Sequence, residues 1–237
     1  MADRSAISWT DATWNPWMGC AKVSPGCDHC YMFTYMRRVG RDPEVVVRSK
    51  TTFYDPLKWT DPRNIFTCSL SDFFIVEADQ WRPEAWDIIH DAPQHIYQIL
   101  TKRPARMLAW ALHRGWPSNA WAGTSIESRK YLHRADVLRK VPAATRFLSL
   151  EPLLEDLGRL NLSGIAGVIV GGESGPNFRP MDLAWVRPIR DQCIEEGVAF
   201  HYKQSSGRRS GMHRELDGRV WNDLPVPEES GRVAVTS

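Results

Sequence analysis

Short runs rich in β-branched and apolar residues recur along the chain at 64–70, 95–100, 119–124, 145–150, 165–170 and 198–203. A weaker run falls somewhere within 6–14. Between many of these runs the apolar residues return at helical intervals. A helix starting near Pro83 stacks Trp86 with Ile89. Another carries Pro104 in its first turn, sets Met107, Leu108, Ala111 and Leu112 on one face, and stops at Gly115. A third, near 128–139, aligns Tyr131, Ala135 and Leu138, and the last, about 182–196, aligns Trp185, Ile189 and Cys193 before Gly197.

Strands alternating with helices predict parallel βαβ units. Six to seven parallel strands predict an α/β fold, a partial or distorted (β/α) TIM-like barrel, because a closed eight-unit barrel typically takes about 250 residues. The expected organisation is one barrel domain over 1–221, with a cysteine loop at 20–30 and a loosely ordered tail over 222–237. Polar residues gather just past the strand ends: Ser71 and Asp72, Lys102 and Arg103, Ser125 and Glu127, Glu151, Gly171 to Ser174, Lys203 and Gln204. In parallel α/β folds that is the edge where sites are built. Glu151 stands out because it interrupts an otherwise apolar run.

Composition narrows the class. Hydrophobic residues at 43% and charged residues at 24% of 237 exclude a fibrous or wholly disordered chain. The net charge of +2 gives no global argument for nucleic acid. Eleven Trp is a marked excess, and Trp9, Trp14 and Trp17 are expected mainly in the core. No run reaches the roughly 18 apolar residues of a membrane span. Residues 1–10 lack the pattern of an export signal, so a cytoplasmic enzyme with reduced thiols is expected.

Three of the five cysteines, Cys20, Cys27 and Cys30, crowd into one loop as C-x6-C-x2-C. Pro25 and Gly26 supply the tight turn that lets three sulfurs converge. Such thiols point to a metal. A closed structural zinc site takes four ligands, as does an ordinary ferredoxin cluster, and the loop offers three. His29 is squeezed between two cysteines, while Cys68 and Cys193 read as small buried hydrophobes. A four-iron cluster on three cysteines leaves one iron open for a substrate or cofactor.

With these residues in view, the chain resembles the radical S-adenosylmethionine superfamily, and more closely a phage and bacterial three-Cys-motif family. The resemblance spans about 7–207. It rests on Gly-Cys followed by Ser-Pro-Gly-Cys-x-x-Cys-Tyr (19–31), Ser-Asp-Phe-Phe (71–74), Leu-Thr-Lys-Arg-Pro (100–104) and Ala-Gly-Thr-Ser-Ile-Glu (122–127). Ser-Leu-Glu-Pro-Leu (149–153), Gly-Gly-Glu-Ser-Gly-Pro (171–176) and Lys-Gln (203–204) complete it. It implies a 4Fe-4S cluster on the three cysteines, S-adenosylmethionine as cofactor, an electron-donor protein as partner, and a 5′-deoxyadenosyl radical that acts on substrate. Under it, Ser71 and Asp72 meet the cofactor's amino group, Lys102 or Arg103 its carboxylate, and Ser125 and Glu127 its ribose. Gly171 and Gly172 allow a ligand to approach the backbone closely. Glu151, Glu173 and Lys203 are the candidate catalytic residues.

Residues 203–214 hold Lys203, Arg208, Arg209 and Arg214 without an acid, which suits a nucleotide or nucleic-acid phosphate. The rival reading is a non-catalytic module that uses the same cysteines to hold zinc or a cluster and binds nucleic acid or protein.

Overall fold

The computed structural model describes residues 4–226. Its main sheet has seven parallel strands, each paired with the next in chain order. They are β1 (Ala12–Trp14), β2 (Asn64–Thr67), β3 (Ile96–Thr101), β4 (Ala120–Ser125), β5 (Arg146–Leu150), β6 (Gly167–Gly171) and β7 (Ala199–Gln204). The helices are α1 (Tyr31–Arg38), α2 (Arg82–Asp91), α3 (Pro104–Arg114), α4 (His133–Leu138) and α5 (Leu183–Glu195). The sheet curls into an open half-barrel; among the described residues no ladder joins β1 to β7. No described helix is long and apolar enough to cross a membrane.

Local chemistry sets most boundaries. Asp182 caps α5 by accepting a bond from the Ala184 amide at 2.8 Å. Gly115 ends α3 with φ +73°. The expected strand over 64–70 stops at Thr67 because Cys68 turns to φ +66°. The expected helix over 128–139 shortens to α4. Ahead of it the Tyr131 and Leu132 amides bond three residues back, to Ser128 and Arg129, in a tight 3-10 turn. Helix α1, which the pattern did not predict, buries Met32, Phe33 and Met36. No helix covers 151–166, where Leu153, Leu157, Leu160 and Leu162 fill the outer core instead.

Strand alternation divides the core between two faces. On the convex face Ile65, Tyr97, Ile99, Leu148, Val168 and Tyr202 pack with helix residues such as Trp86, Met107 and Ile189. On the concave face Trp9, Phe66, Trp121, Phe147 and Ile169 form a separate aromatic floor. Each fully buried side chain of this size contributes about 1.5–3 kcal/mol. Gly123 makes the floor possible: a Cβ there would stand 2.3 Å from the Phe147 ring.

The floor closes the end of the half-barrel from which the strands start. Gln98 donates to the Trp9 carbonyl at 3.0 Å, and the Ser8 hydroxyl meets His201 Nε2 at 2.8 Å, linking the chain's start to β7. The loose tail expected from 222 needs correction at its start. Asn222 bridges to His201, Leu224 packs against the floor, and a Cβ on Gly167 would meet Pro225 at 2.7 Å. These contacts tie 222–225 to the domain, while Val226 is exposed; 227–237 lie outside the described residues.

Candidate functional site

Toward the C-terminal ends of the strands, the concave face changes chemistry. Inward positions run Phe147, Ser149, Glu151 from β5, Trp121, Gly123, Ser125 along β4, and His201, Lys203 along β7. The upper members of these series line one cavity of about 740 Å³, within the usual range for small-molecule sites.

Cys20, Cys27 and Cys30 all line this cavity, as free and half-buried thiols. Their loop starts at Gly19, where φ +100° and a would-be Cβ only 2.4 Å from the Val45 carbonyl admit glycine alone. Pro25–Cys27 forms one 3-10 turn, and Cys30 begins α1. Burial, then the charge of Asp72, pushes the Cys20 thiol up to about 12, with Arg103 pulling the other way. Burial also raises Cys30. Desolvated thiols resist ionisation until a cation compensates them.

Three contacts from the strand ends hold the cysteine loop. The Arg103 guanidinium, 2.9 Å from Asp72, donates to the Ala21 carbonyl at 2.9 Å, while the Ser71 hydroxyl donates to the Gly19 carbonyl at 2.5 Å. Gly26 lies directly on Glu127, whose Cγ would stand 3.1 Å from a Cβ there. Glu127 is fully buried and paired with Arg134 at 3.0 Å, and its Oε1 has no hydrogen-bond partner among the described residues. On the far side Glu173 accepts from Arg179 Nη2 at 2.5 Å and meets His29 Nδ1 at 3.0 Å; Arg179 also donates to the Pro25 carbonyl at 2.9 Å. Burial alone would raise the Glu173 carboxyl, but the bonds from Arg179 and His29 outweigh it and hold the group below the usual carboxylate range.

Most residues expected from the sequence meet here. Ser71, Asp72, Lys102, Arg103, Ser125, Glu151, Gly172, Glu173 and Lys203 line the cavity with the cysteines. Glu127 and Gly171 are not part of its wall. Glu127 sits behind Gly26, and a Cβ on Gly171 would stand 3.2 Å from the Glu151 carboxyl carbon. Gly172 makes room for protein: a Cβ there would meet the Ser206 amide at 2.3 Å.

Asp72 accepts from the Phe74 amide, the Thr101 hydroxyl, the Lys102 amide and Arg103 at 2.6–3.0 Å. Those four donors fill its acceptor sites, so it acts here as a hub that aims Arg103. Glu151 and Lys203 pair at 2.5 Å across the cavity, whereas Lys102 forms no ion pair among the described residues. Sequence reading expected a strand-end carboxylate to pair with Arg179, as Glu173 does. It left His29 poorly placed to turn inward, whereas His29 lines the cavity and meets Glu173. It also took Cys68 for packing, yet this buried thiol lines the same cavity at a left-handed turn.

The donor set can be tested against the groups it was expected to hold. Among the described residues no three His, Cys, Asp or Glu side chains converge on a single-ion site. A four-iron cluster asks for something else, one thiolate for each protein-held iron. Three free thiols lining one roomy cavity could supply three of those ligands.

No curated protein and no solved structure matches the chain. Residues 4–225, nearly everything the structure describes, match a family described as protein of unknown function, DUF5131. The chain belongs to that family.

Proposed function

We propose that this chain is a cytoplasmic radical S-adenosylmethionine-type enzyme built on part of a TIM-like barrel, with Cys20, Cys27 and Cys30 holding a 4Fe-4S cluster. The observation that carries the reading is the placement of all three thiols on the wall of one 740 Å³ cavity at the strands' C-terminal edge. When bound, the cluster and S-adenosylmethionine would supply an electron and a 5′-deoxyadenosyl radical.

This chain's own residues position and shield. Asp72 holds Arg103 against the loop, and Glu173 and Arg179 hold its other end, so the three thiols keep their places. Lys102, which forms no ion pair among the described residues, suits the cofactor's carboxylate. Ser125 offers a hydroxyl to the ribose. The Glu151–Lys203 pair stands ready to hold or move a proton at substrate, with Nζ donating to Oε1. The aromatic floor of Trp9 and Phe66 excludes water from below. A reduced protein or small electron donor is required.

The test is anaerobic. Protein reconstituted with iron and sulfide, then given dithionite and S-adenosylmethionine, is expected to release 5′-deoxyadenosine together with methionine, and Cys27→Ala to release neither. Stoichiometric zinc with no cleavage would instead leave a metal-stabilised binding module.

A further inference from the structure

Most of the arginines in this molecule are spoken for: Arg48, Arg82, Arg103, Arg106, Arg134, Arg179 and Arg187, among others, form ion pairs. Two stretches at the cavity mouth differ. Residues 20–41 carry Lys22, Arg37, Arg38 and Arg41 against one acid, Asp28, and 203–214 carry no acid at all. None of Lys22, Arg37, Arg38, Arg41, Arg208 or Arg209 forms an ion pair among the described residues. Both stretches border the cavity, through Tyr31 and Tyr35 on one side and Ser210 on the other.

The basic rim is also aromatic. Tyr31 is 48% exposed and Tyr35 39%, with Arg38 over the Tyr35 ring at 5.8 Å. The opposite rim is held in shape by Gln204, whose side-chain oxygen accepts from the Gly211 amide at 2.7 Å and the Ser210 hydroxyl at 3.1 Å. Arg208 and Arg209 therefore project from a pinned loop.

From this arrangement we infer that the mouth binds single-stranded nucleic acid, with the backbone on the two basic rims and one nucleotide lowered into the cavity. The cations meet phosphates, exposed tyrosines offer faces on which bases stack, and sequence-tolerant binding of this kind needs little else. A duplex buries its bases in the stack, whereas a base from a single strand is free to enter a deep site. Ser149 and the Glu151–Lys203 pair then present donors and acceptors to its edge. An acidic protein would satisfy the charge but has no use for a cavity between the rims.

The inference rests on the proposed reading only for what happens inside the cavity; binding itself needs no iron. The experiment titrates a fluorescein-labelled oligothymidylate of about 12 nucleotides, near the span of one such site, into the full chain. It is run before and after reconstitution, over a range of salt. Binding with a steep salt slope is expected in both forms. Arg208→Gln with Arg209→Gln should lower the slope by about 1.4, at roughly 0.7 per lost phosphate contact. Tyr35→Ala should weaken binding about tenfold with the slope unchanged, because stacking carries no counterions. Circular dichroism checks that both variants stay folded. No binding, unchanged variants, or equal competition by poly-glutamate of matched charge overturns the inference. If S-adenosylmethionine is nonetheless cleaved, the proposed reaction survives; if the strand binds and no cleavage occurs, only the reaction falls.

Discussion

The two ends of the half-barrel are built from the same strands and share no chemistry. At the starting end, inward positions are Phe66, Trp121, Phe147 and Ile169, sealed by Leu224 and the Ser8–His201 bond. Two to four residues further along, the inward positions are Ser125, Ser149, Glu151 and Lys203. The floor is aromatic and apolar, while the mouth uses its ion pairs to fix a loop of cysteines. Stability and chemistry are thus separable here by position along a strand, and substitutions should separate them too.

The largest effect is expected at the floor. Phe147→Ala removes a buried ring beneath Gly123 and should cost about 3–5 kcal/mol in a urea melt, with iron uptake by the folded fraction retained. A loss of iron stoichiometry in that fraction would blur the division.

Acid should attack the same end next. Burial, then the positive charge of Arg214, lowers His201 to about 4 from 6.5. Unfolded chain therefore binds the proton first, so stability is full above about pH 6.5 and falls by up to about 3 kcal/mol as pH drops toward 4. Urea melts at pH near 7.5 and near 5 should differ in the native protein and much less in His201→Phe.

At the mouth the effects on stability shrink while those on function grow. Glu173→Gln weakens the charge-assisted bonds from Arg179 and His29, and a loss of about 1–2 kcal/mol is expected. Iron retention during gel filtration should fall, since the loop is freed on that side. Lys102→Met should change stability by less than about 0.5 kcal/mol, as for surface positions outside packed features. Its expected signature is weaker S-adenosylmethionine binding by calorimetry at unchanged iron content.

The contrast also explains what could be read from the chain in advance. Strands β2 to β7 were legible because buried parallel strands are apolar runs, and each falls within a few residues of its run. Helix α1 was not: it opens inside the cysteine motif, and Cys30 supplies no side-chain cap bond. The site was legible as a set of polar residues just past strand ends. Lys203 and Arg179 were legible as partners for Glu151 and Glu173, but the meeting of His29 with Glu173 across 144 residues was not. Only the curl of the sheet decides which strand ends face one another. Asp72 shows the same limit. Its place was evident, but its saturation by four donors depends on how β3 ends.

The most direct test of the central claim, that the mouth holds a cluster with one open iron, is electron paramagnetic resonance of the anaerobically reconstituted, reduced protein. The account predicts a 4Fe-4S signal that shifts when S-adenosylmethionine is added and is absent from Cys27→Ala. A signal indifferent to S-adenosylmethionine, or no cluster at all, would contradict it.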